Sequence, residues 1–400
     1  MTGWAEGPPI SEKETLVCHA DVVAPMSKPS PSSPIRAKIT LTLVTLSVCF
    51  VLVEVGYRLL DPFPFYSARV VNMSQRGNLS TFDPLLGWTG SPGGQAELVT
   101  VNNRVPLSLN TQGHRDIEHT MADTNRPAIV FLGDSFTWGY EVTFEEMFVN
   151  RFRRRMPAYS VFNLSHRGYG TDQSFLTFTE TWQHEGAIRL VVLMFSENDV
   201  LDNASSVRYE KRKPRYRLRS GELHLTGVPI EEDRQWKSPL PDTPKPSSWK
   251  VKLQETLFMS HLLHDIWWQF YVRRPSSSDE SPLTQQEQQK SLRVTEKLLE
   301  ALRDAASQRG AAFAVGFVPS KLEIEHIGDE PPYQRDIAAI CDARDIPYFD
   351  LGPAMSKTRG RKYFRMGMHW NAAGHAAAAD GIYSHLDRLL RKAPKAVSEP

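Results

Sequence analysis

The sequence predicts an α/β domain built around a doubly wound, parallel sheet, and two observations carry this prediction. Short and almost wholly apolar runs, such as 128–132 and 190–195, are typical of strands that are buried on both faces. From residue 128 onward these runs alternate with segments of helical pattern, as they do in sheets with crossover helices. We therefore expect five parallel strands with helices between them.

The predicted elements follow one another in a regular order. The strands are expected at 128–132, 160–164, 190–195, 311–318 and 346–350. The helices are expected at 143–155, which a Thr143–Glu146 capping box opens, at 172–185, 284–309 and 332–344, and from about Asn371 onward. Residues 200–283 interrupt this order with a predicted hairpin at 215–225, a Pro-rich link at 238–246 and an amphipathic helix over 253–270.

The chain before the α/β domain differs from it in composition. Residues 1–35 are rich in Pro and Ser and predict a disordered cytoplasmic tail. Residues 36–60 predict a transmembrane anchor, because 39–53 carry no charge and the apolar stretch 39–60 is long enough to cross a bilayer. A cleavable signal fits less well, since the polar lead is long and no small-x-small cleavage site follows.

The charges that flank the apolar stretch predict its orientation. Arg36 and Lys38 precede it and favour a cytoplasmic amino terminus. The rest of the chain would then lie on the periplasmic or extracellular side of the cell membrane. We expect a turn-rich lead-in with short strands at 61–125, the α/β domain at 126–392 with an insertion at about 200–283, and a tail at 393–400.

Overall charge and cysteine content exclude some classes of protein. The 47 Lys and Arg residues nearly balance the 46 Asp and Glu residues, so no nucleic-acid partner is expected. Of the three cysteines, Cys18, Cys49 and Cys341, one falls in the α/β domain, which therefore has no internal disulfide framework.

The strand at 128–132 is followed by Gly133-Asp134-Ser135, which places a hydroxyl at the carboxyl end of a parallel strand. Ligands bind at that edge in open α/β sheets, so Ser135 is a candidate nucleophile. The spacing is not that of the Gly-x-Ser-x-Gly elbow, because the next glycine is Gly139. Taken alone, the tripeptide is also an ordinary turn sequence.

Three further strand ends supply what a serine nucleophile needs. Gly168 lies after the second strand, where a glycine lets backbone N–H approach a ligand closely. Asn198 follows the third strand and can donate to an oxyanion without carrying a charge. His369 precedes the last helix and is the candidate general base, with Asn371 as the helix N-cap. His166 and His375 are expected to be packing residues.

On these residues the chain resembles the SGNH (GDSL) hydrolase family, whose four blocks centre on Ser, Gly, Asn and His. The match runs through Ser135, Gly168, Asn198 and His369 in chain order, with Asp134 and Asp199 as supporting neighbours. Leu86-Gly87-Trp88, the stretch 110–116 and the stretch 168–173 are similar to a membrane-anchored subgroup. The resemblance implies a flavodoxin-like three-layer α/β/α fold and hydrolysis of carboxylic esters without metal or organic cofactor.

One departure from that family concerns the acid that orients the histidine. The family usually has Asp two or three residues before the histidine, where this chain has Gly367 and Met366. Three hypotheses follow: a Ser–His dyad oriented by a backbone carbonyl, an acid from elsewhere, or a decayed site. Asp350 is the nearest upstream carboxylate and is expected to be a helix cap.

The sequence thus predicts a membrane-anchored esterase in which Ser135 forms an acyl-enzyme and His369 is the base. Its oxyanion hole would be formed by Ser135, Gly168 and Asn198. Expected substrates are ester-bearing small molecules, O-acylated glycans or lipids, and contact with the membrane is expected through residues 39–60. The alternatives are an O-acyltransferase that uses the same residues and a catalytically silent, membrane-tethered binding module.

Overall fold

The computed structural model describes residues 34–60, 74–77, 79–100, 102–209, 211–232, 263, 284–325, 333–364 and 367–391. The chain divides into two compact units, one that ends at Leu60 and one that begins at Asp61. Residues 1–33 of the predicted tail, the tail at 393–400, the Pro-rich link at 238–246 and nearly all of the predicted helix at 253–270 lie outside the described residues. The last two residues of the predicted tail at 1–35 are helical, so the tail was predicted two residues too long.

The first unit contains one long apolar helix, α1 (Pro34–Leu60). The part of α1 from Pro34 to Gly56, 23 residues, is long and apolar enough to cross a membrane. Most of its large apolar side chains, such as Leu41, Leu46 and Leu52, are exposed to solvent. A helix near the amino terminus with these properties can be a membrane span or a signal sequence.

The second unit begins with short strands. In chain order the elements are β1 (Ser74–Gly77), β2 (Ser80–Asp83), β3 (Gly87–Gly90), β4 (Gln95–Val99), β5 (Arg104–Ser108) and α2 (Met121–Thr124). Strands β1, β4 and β5 form an antiparallel sheet, and β2 pairs with β3. The predicted small strands of the lead-in are therefore present.

The alternating part of the chain follows. Its elements are β6 (Ala128–Gly133), α3 (Ser135–Trp138), α4 (Phe148–Arg155), β7 (Ser160–Asn163), α5 (Thr171–Leu176), a π-helical turn (Thr177–Thr181), β8 (Ile188–Phe195), α6 (Asn198–Ala204), β9 (Val207–Arg208), β10 (Lys211–Arg212), β11 (Arg215–Arg219), β12 (Glu222–Thr226), α7 (Gln285–Gln308), β13 (Ala312–Phe317), α8 (Lys321–Ile324), α9 (Gln334–Ala343), β14 (Tyr348–Asp350), α10 (Gly352–Lys357) and α11 (Ala372–Arg391).

Five of these strands form one parallel sheet in the order β14-β13-β8-β6-β7. When the five strands are numbered 1 to 5 in the order in which they occur along the chain, their order across the sheet is 2-1-3-4-5, as in flavodoxin-like sheets. All five were predicted from the apolar runs, and the structure confirms the parallel, doubly wound sheet. The carboxyl ends of the strands meet at one edge, which is the edge that carries Ser135.

The sheet is covered by helices on both faces. Ile129 and Phe131 of β6 pack with residues of α4, α10 and α11 on one face. Val130 and Leu132 pack with residues of α6, α7 and α9 on the other face. Because successive side chains of a strand point to opposite faces, an unbroken apolar run is required where both faces are buried. The result is a three-layer α/β/α sandwich.

Two predicted helix boundaries differ from the structure. Glu146 accepts from the backbone N–H of Thr143 at 2.9 Å, as a capping box would, but α4 begins only at Phe148. Met147 has extended backbone (ψ 137°), which separates the turns at 144–146 from the helix. The second predicted helix, 172–185, ends as a π-helical turn at Thr181.

A buried ion pair connects the predicted insertion to the sheet domain. The ammonium of Lys213 and the carboxylate of Asp172 in α5 are in contact and fully buried. Lys213 also donates to the carbonyls of Asp202 and Pro214 at 3.0 and 3.2 Å. Burial raises the pKa of Asp172, and the charge of Lys213 opposes that rise.

Replacing one partner of this pair should destabilise the domain more than replacing both. Lys213→Met leaves a buried carboxylate without its cation, which typically costs about 3–5 kcal/mol. The double variant Asp172→Asn, Lys213→Met removes both charges and should lose less. Urea unfolding of the purified proteins, followed by tryptophan fluorescence, measures the difference. If Lys213→Met were as stable as the wild type, losing the cation would not destabilise the domain, which would contradict this prediction.

Candidate active site

Ser135 is the first residue of α3, directly after β6. Gly133 has φ 145°, a conformation that favours glycine, and a Cβ at this position would lie 2.6 Å from Thr137 Oγ1. Asp134 is the N-cap of α3 and accepts from the backbone N–H of Phe136 at 2.9 Å. The Gly133-Asp134-Ser135 turn therefore brings the serine hydroxyl to the carboxyl edge of the sheet.

His369 and Trp370 are held by backbone contacts with residues 363 and 364. The backbone N–H of Phe364 donates to the carbonyl of His369 at 2.9 Å, and Tyr363 pairs with Trp370 in an antiparallel bridge. Asn371 accepts from the N–H groups of Ala373 and Gly374 at 2.9 and 3.0 Å. The predicted N-cap is confirmed, and it fixes the backbone two residues after the imidazole.

The structure brings Ser135 and His369 together, although 234 residues separate them in the sequence. Ser135 Oγ and His369 Nε2 are 2.8 Å apart, which is hydrogen-bond distance. The rings of Tyr140 and Phe136 lie 4.6 and 5.2 Å from the imidazole, centre to centre. Although the His369 side chain keeps 26% exposure, burial among these groups lowers its pKa to about 4.

Gly168 lies in the loop between β7 and α5, with φ 73°. A Cβ at this position would lie 2.4 Å from the ring of Tyr209, so a side chain has no room. The loop is tied to β3, because Tyr169 Oη donates to the carbonyl of Trp88 at 2.7 Å and Trp88 Nε1 donates to the carbonyl of Arg167 at 3.1 Å. Among the described residues, the backbone N–H groups of Ser135 and Gly168 have no acceptor.

Asn198 begins α6, at the end of β8. Its Oδ1 lies 2.9 Å from Ser196 Oγ, whose one hydrogen can also reach Asp134 Oδ2, and its Nδ2 donates to Asp202 Oδ2 at 2.8 Å. These two contacts fix the orientation of the amide group. The Asn198 side chain also hydrogen-bonds Asp134, which lowers the pKa of that carboxyl.

Asp134 and Asp199 are both buried and are joined through Ser196. Ser196 Oγ lies 2.8 Å from Asp134 Oδ2, and the backbone N–H of Ser196 donates to Asp199 Oδ2 at 2.9 Å. Thr171 Oγ1 donates to Asp199 Oδ1 at 3.0 Å. Burial raises the pKa of both carboxyls, that of Asp199 well above its usual range, because the Asp134 charge adds to the effect. Both residues thus connect the loops of the site.

An acidic side chain that the sequence analysis did not select lies beside His369. Glu141 Oε2 is 3.9 Å from His369 Nδ1, the ring nitrogen on the side away from Ser135. Asp350 Oδ1 instead accepts from the backbone N–H of Gly352 at 2.8 Å, although the N-cap of α10 is Leu351 and not Asp350 as predicted. Of the two, Glu141 is the carboxylate that the fold brings to the imidazole.

Arg115 holds the loop that carries Glu141. Its guanidinium is buried and donates to the carbonyls of Trp138 at 3.3 Å, of Gly139, and of Val142 at 2.6 Å. The guanidinium groups of Arg115 and Arg167 each lie 4.8 Å from the centre of the Trp138 ring, a cation–π distance. The stretch 110–116, singled out by sequence, thus supports the loop at 138–142 through Arg115.

The remaining histidines near the site have packing roles. His375 is buried, and its Nδ1 accepts from the backbone N–H of Phe148 at 3.3 Å. His166 is also buried and stacks on Tyr169 at 5.0 Å. Within the part of the chain that the structure describes, no group of three His, Cys, Asp or Glu side chains is arranged to hold a metal ion. His261 and His264, which the predicted helix at 253–270 spaces i, i+3 as a metal pair could be, lie outside that part.

Comparisons with known proteins give the following. A family model described as "GDSL-like Lipase/Acylhydrolase family" matches residues 131–377, more than half of the chain. Similar solved structures include a lipolytic protein of the G-D-S-L family from Veillonella parvula DSM 2008 (13% identity, TM-score 0.35) and the psychrotrophic esterase EstA from Pseudoalteromonas sp. (12% identity, TM-score 0.32). Each similarity covers 66% of this chain and 99% of the other. No curated protein matches the chain.

Replacing Arg115 should loosen the loop at 138–142. Arg115→Lys keeps the charge but loses the forked geometry that reaches several carbonyls, so we expect a loss of about 3 kcal/mol in unfolding free energy and lower esterase activity. Arg154→Lys, the same change at an exposed residue, should alter stability by only about 0.5 kcal/mol. Urea unfolding and ester hydrolysis are measured on both variants. Equal effects at the two positions would contradict a supporting role for Arg115.

Proposed function

Because this chain belongs to the GDSL-like lipase/acylhydrolase family, we propose that it is a membrane-anchored serine ester hydrolase that works through an acyl-enzyme on Ser135. The observation that carries the proposal is the 2.8 Å contact between Ser135 Oγ and His369 Nε2. A nucleophile in hydrogen-bond reach of a base is the arrangement that serine hydrolases require.

In the acylation half of the reaction, His369 Nε2 takes the proton from Ser135 Oγ as that oxygen attacks the ester carbonyl carbon. The carbonyl π electrons move to its oxygen and form a tetrahedral oxyanion. When the oxyanion collapses, the bond to the alkoxy oxygen breaks and His369 donates its proton to the leaving alcohol. In the second half His369 Nε2 removes a proton from water as the water oxygen attacks the acyl carbon and forms a second tetrahedral oxyanion. When that oxyanion collapses, the bond to Ser135 Oγ breaks, His369 returns the proton to Ser135 Oγ, and the carboxylic acid product leaves.

The oxyanion would be bound by the backbone N–H groups of Ser135 and Gly168 and by the side-chain amide of Asn198. The two backbone donors have no acceptor among the described residues, so they are available to a ligand. Asn198 is held by Ser196 and Asp202, which leaves its amide oriented before a substrate binds. Such donors stabilise the transition state without having to reorganise.

The proposed location follows from α1 and its flanking charges. Apolar residues dominate α1, and Arg36 and Lys38 lie at its amino-terminal end. A cytoplasmic amino terminus would place the catalytic domain on the periplasmic or extracellular side. O-acylated glycans and lipids are the ester substrates that such an enzyme would meet there.

Ser135→Ala should abolish hydrolysis of short-chain nitrophenyl esters by the detergent-purified chain, and Asn198→Ala should lower turnover roughly 10²–10³-fold, the usual effect of losing one oxyanion donor. Covalent labelling by a fluorophosphonate reports on Ser135 independently of turnover. Hydrolysis that survives Ser135→Ala would refute the proposed nucleophile. A wild-type protein that neither hydrolyses nor labels would favour the binding-module hypothesis.

The pH dependence of hydrolysis should differ from that of an exposed histidine. His369 can accept the Ser135 proton only in its neutral form, and its lowered pKa keeps it neutral down to about pH 4. We therefore expect kcat/KM to stay level between about pH 6 and pH 8 and to fall only in more acidic solution, whereas an unperturbed histidine would lose half its basic form near pH 6.5. Ser135→Ala gives the background rate at each pH. If kcat/KM instead fell with a midpoint near pH 6.5, His369 would titrate like an exposed histidine, and burial would not have lowered its pKa.

A further inference from the structure

We propose that Glu141 is the acid that positions His369, so that nucleophile, base and acid of this site are Ser135, His369 and Glu141. The inference rests on the proposed ester hydrolase function. It places the acid on the loop after α3, whereas the family resemblance implies an acid just before the histidine.

The two ring nitrogens of His369 face two different partners. Nε2 lies 2.8 Å from Ser135 Oγ, and Nδ1 lies 3.9 Å from Glu141 Oε2. A neutral imidazole that accepts at Nε2 carries its hydrogen on Nδ1, so an N–H is presented to the carboxylate side. A separation of 3.9 Å is longer than a hydrogen bond. The attraction between the Glu141 carboxylate and the imidazole becomes strong once His369 has taken up a proton and carries a positive charge. Catalytic contacts of this kind tighten in the reacting complex.

The carboxylate of Glu141 is held in place before any substrate is present. Its side chain is only 4% exposed, and Asn102 Nδ2 donates to its Oε1 at 3.0 Å. This hydrogen bond engages one oxygen and leaves the other, Oε2, towards His369. The carbonyl of Glu141 accepts from Asn103 Nδ2 at 3.2 Å. Both contacts come from the turn between β4 and β5.

The backbone of Glu141 is itself unusual. It has φ 66°, in the left-handed region that a glutamate rarely occupies. Such a conformation persists only where the surroundings impose it, and it is common at active sites. Here Arg115 donates to the carbonyls of Gly139 and Val142 on either side. Arg115 therefore maintains the turn that directs Glu141 towards the imidazole.

A buried cation favours the charged form of Glu141 and also supports the chain before His369. Burial raises the pKa of Glu141, while hydrogen bonds from Thr100 and Asn102 and the charge of Lys321 act in the opposite direction. The ammonium of Lys321 donates to the carbonyls of Phe364 and Gly367 at 2.7 and 3.2 Å. One cation thus stabilises the carboxylate and orders the segment that presents the base.

The space before the histidine also agrees with this assignment. Gly367 has φ 95°, and the nearest atom to a Cβ built on it is Glu141 Oε2, at 4.0 Å. The carboxylate of Glu141 therefore lies where a side chain at position 367 would begin to extend. Asp350, the other acid considered, is engaged with the backbone N–H of Gly352.

The test compares three carboxylate variants in the full-length, detergent-purified chain. Glu141→Gln keeps the shape and the hydrogen bond from Asn102 but removes the charge, and kcat should fall by about 10²–10⁴-fold with KM little changed. Glu141→Asp keeps the charge on a shorter side chain and should retain more activity than Glu141→Gln. Asp350→Asn is the matched control and should hydrolyse esters at the wild-type rate.

Ester hydrolysis and the rate of fluorophosphonate labelling of Ser135 are measured on each protein, with near-UV circular dichroism to verify folding. A Glu141→Gln protein that is as active as the wild type, or more active than Glu141→Asp, would overturn the role of Glu141 and leave the proposed hydrolase function intact. A wild type that neither hydrolyses nor labels would overturn the hydrolase function, and the role of Glu141 with it. Loss of activity in Asp350→Asn but not in Glu141→Gln would assign the acid to Asp350 instead.

Discussion

The site depends on a carboxylate, that of Asp134, which is buried at the carboxyl edge of the parallel sheet. A buried anion is tolerated only where it is hydrogen-bonded, and Asp134 satisfies this through the N–H of Phe136 and the hydroxyl of Ser196. The first contact starts the nucleophile helix, and the second reaches the end of β8. Asp199 extends the connection to Thr171 in α5. The strand ends that carry Ser135, Gly168 and Asn198 are therefore fixed relative to one another before a substrate arrives.

The fold was predictable to the extent that burial dictates sequence pattern. A strand covered on both faces must be apolar along its length, so all five sheet strands could be recognised, from β6 to β14. Helix boundaries were less well determined. The Thr143–Glu146 capping contact forms as expected, yet the chain makes a turn before α4 because Met147 is extended. A capping box records a local hydrogen bond, and tertiary packing decides where the helix begins.

The site was predictable where topology alone brings residues together. Ser135, Gly168 and Asn198 follow parallel strands whose carboxyl ends must meet, and His369 precedes a helix that packs on the same sheet. Glu141 follows no strand, and nothing in its spacing marks it. Its position beside His369 depends on a left-handed backbone and on a buried arginine from a distant segment. These features arise from tertiary contacts, which a sequence pattern does not reveal.

Glu141 and His369 lie on two different segments of the chain, and each segment is held by its own buried cation. Arg115 orders the loop that carries the carboxylate, and Lys321 orders the segment that carries His369, each through backbone carbonyls. A buried cation is stable only while carbonyls accept its hydrogen bonds, so each segment and its cation stabilise one another. Neither cation contacts His369 itself; each acts through backbone carbonyls of a segment beside it. An acid next to the histidine in sequence would need only one ordered segment, whereas an acid from the nucleophile loop requires both to be ordered at once.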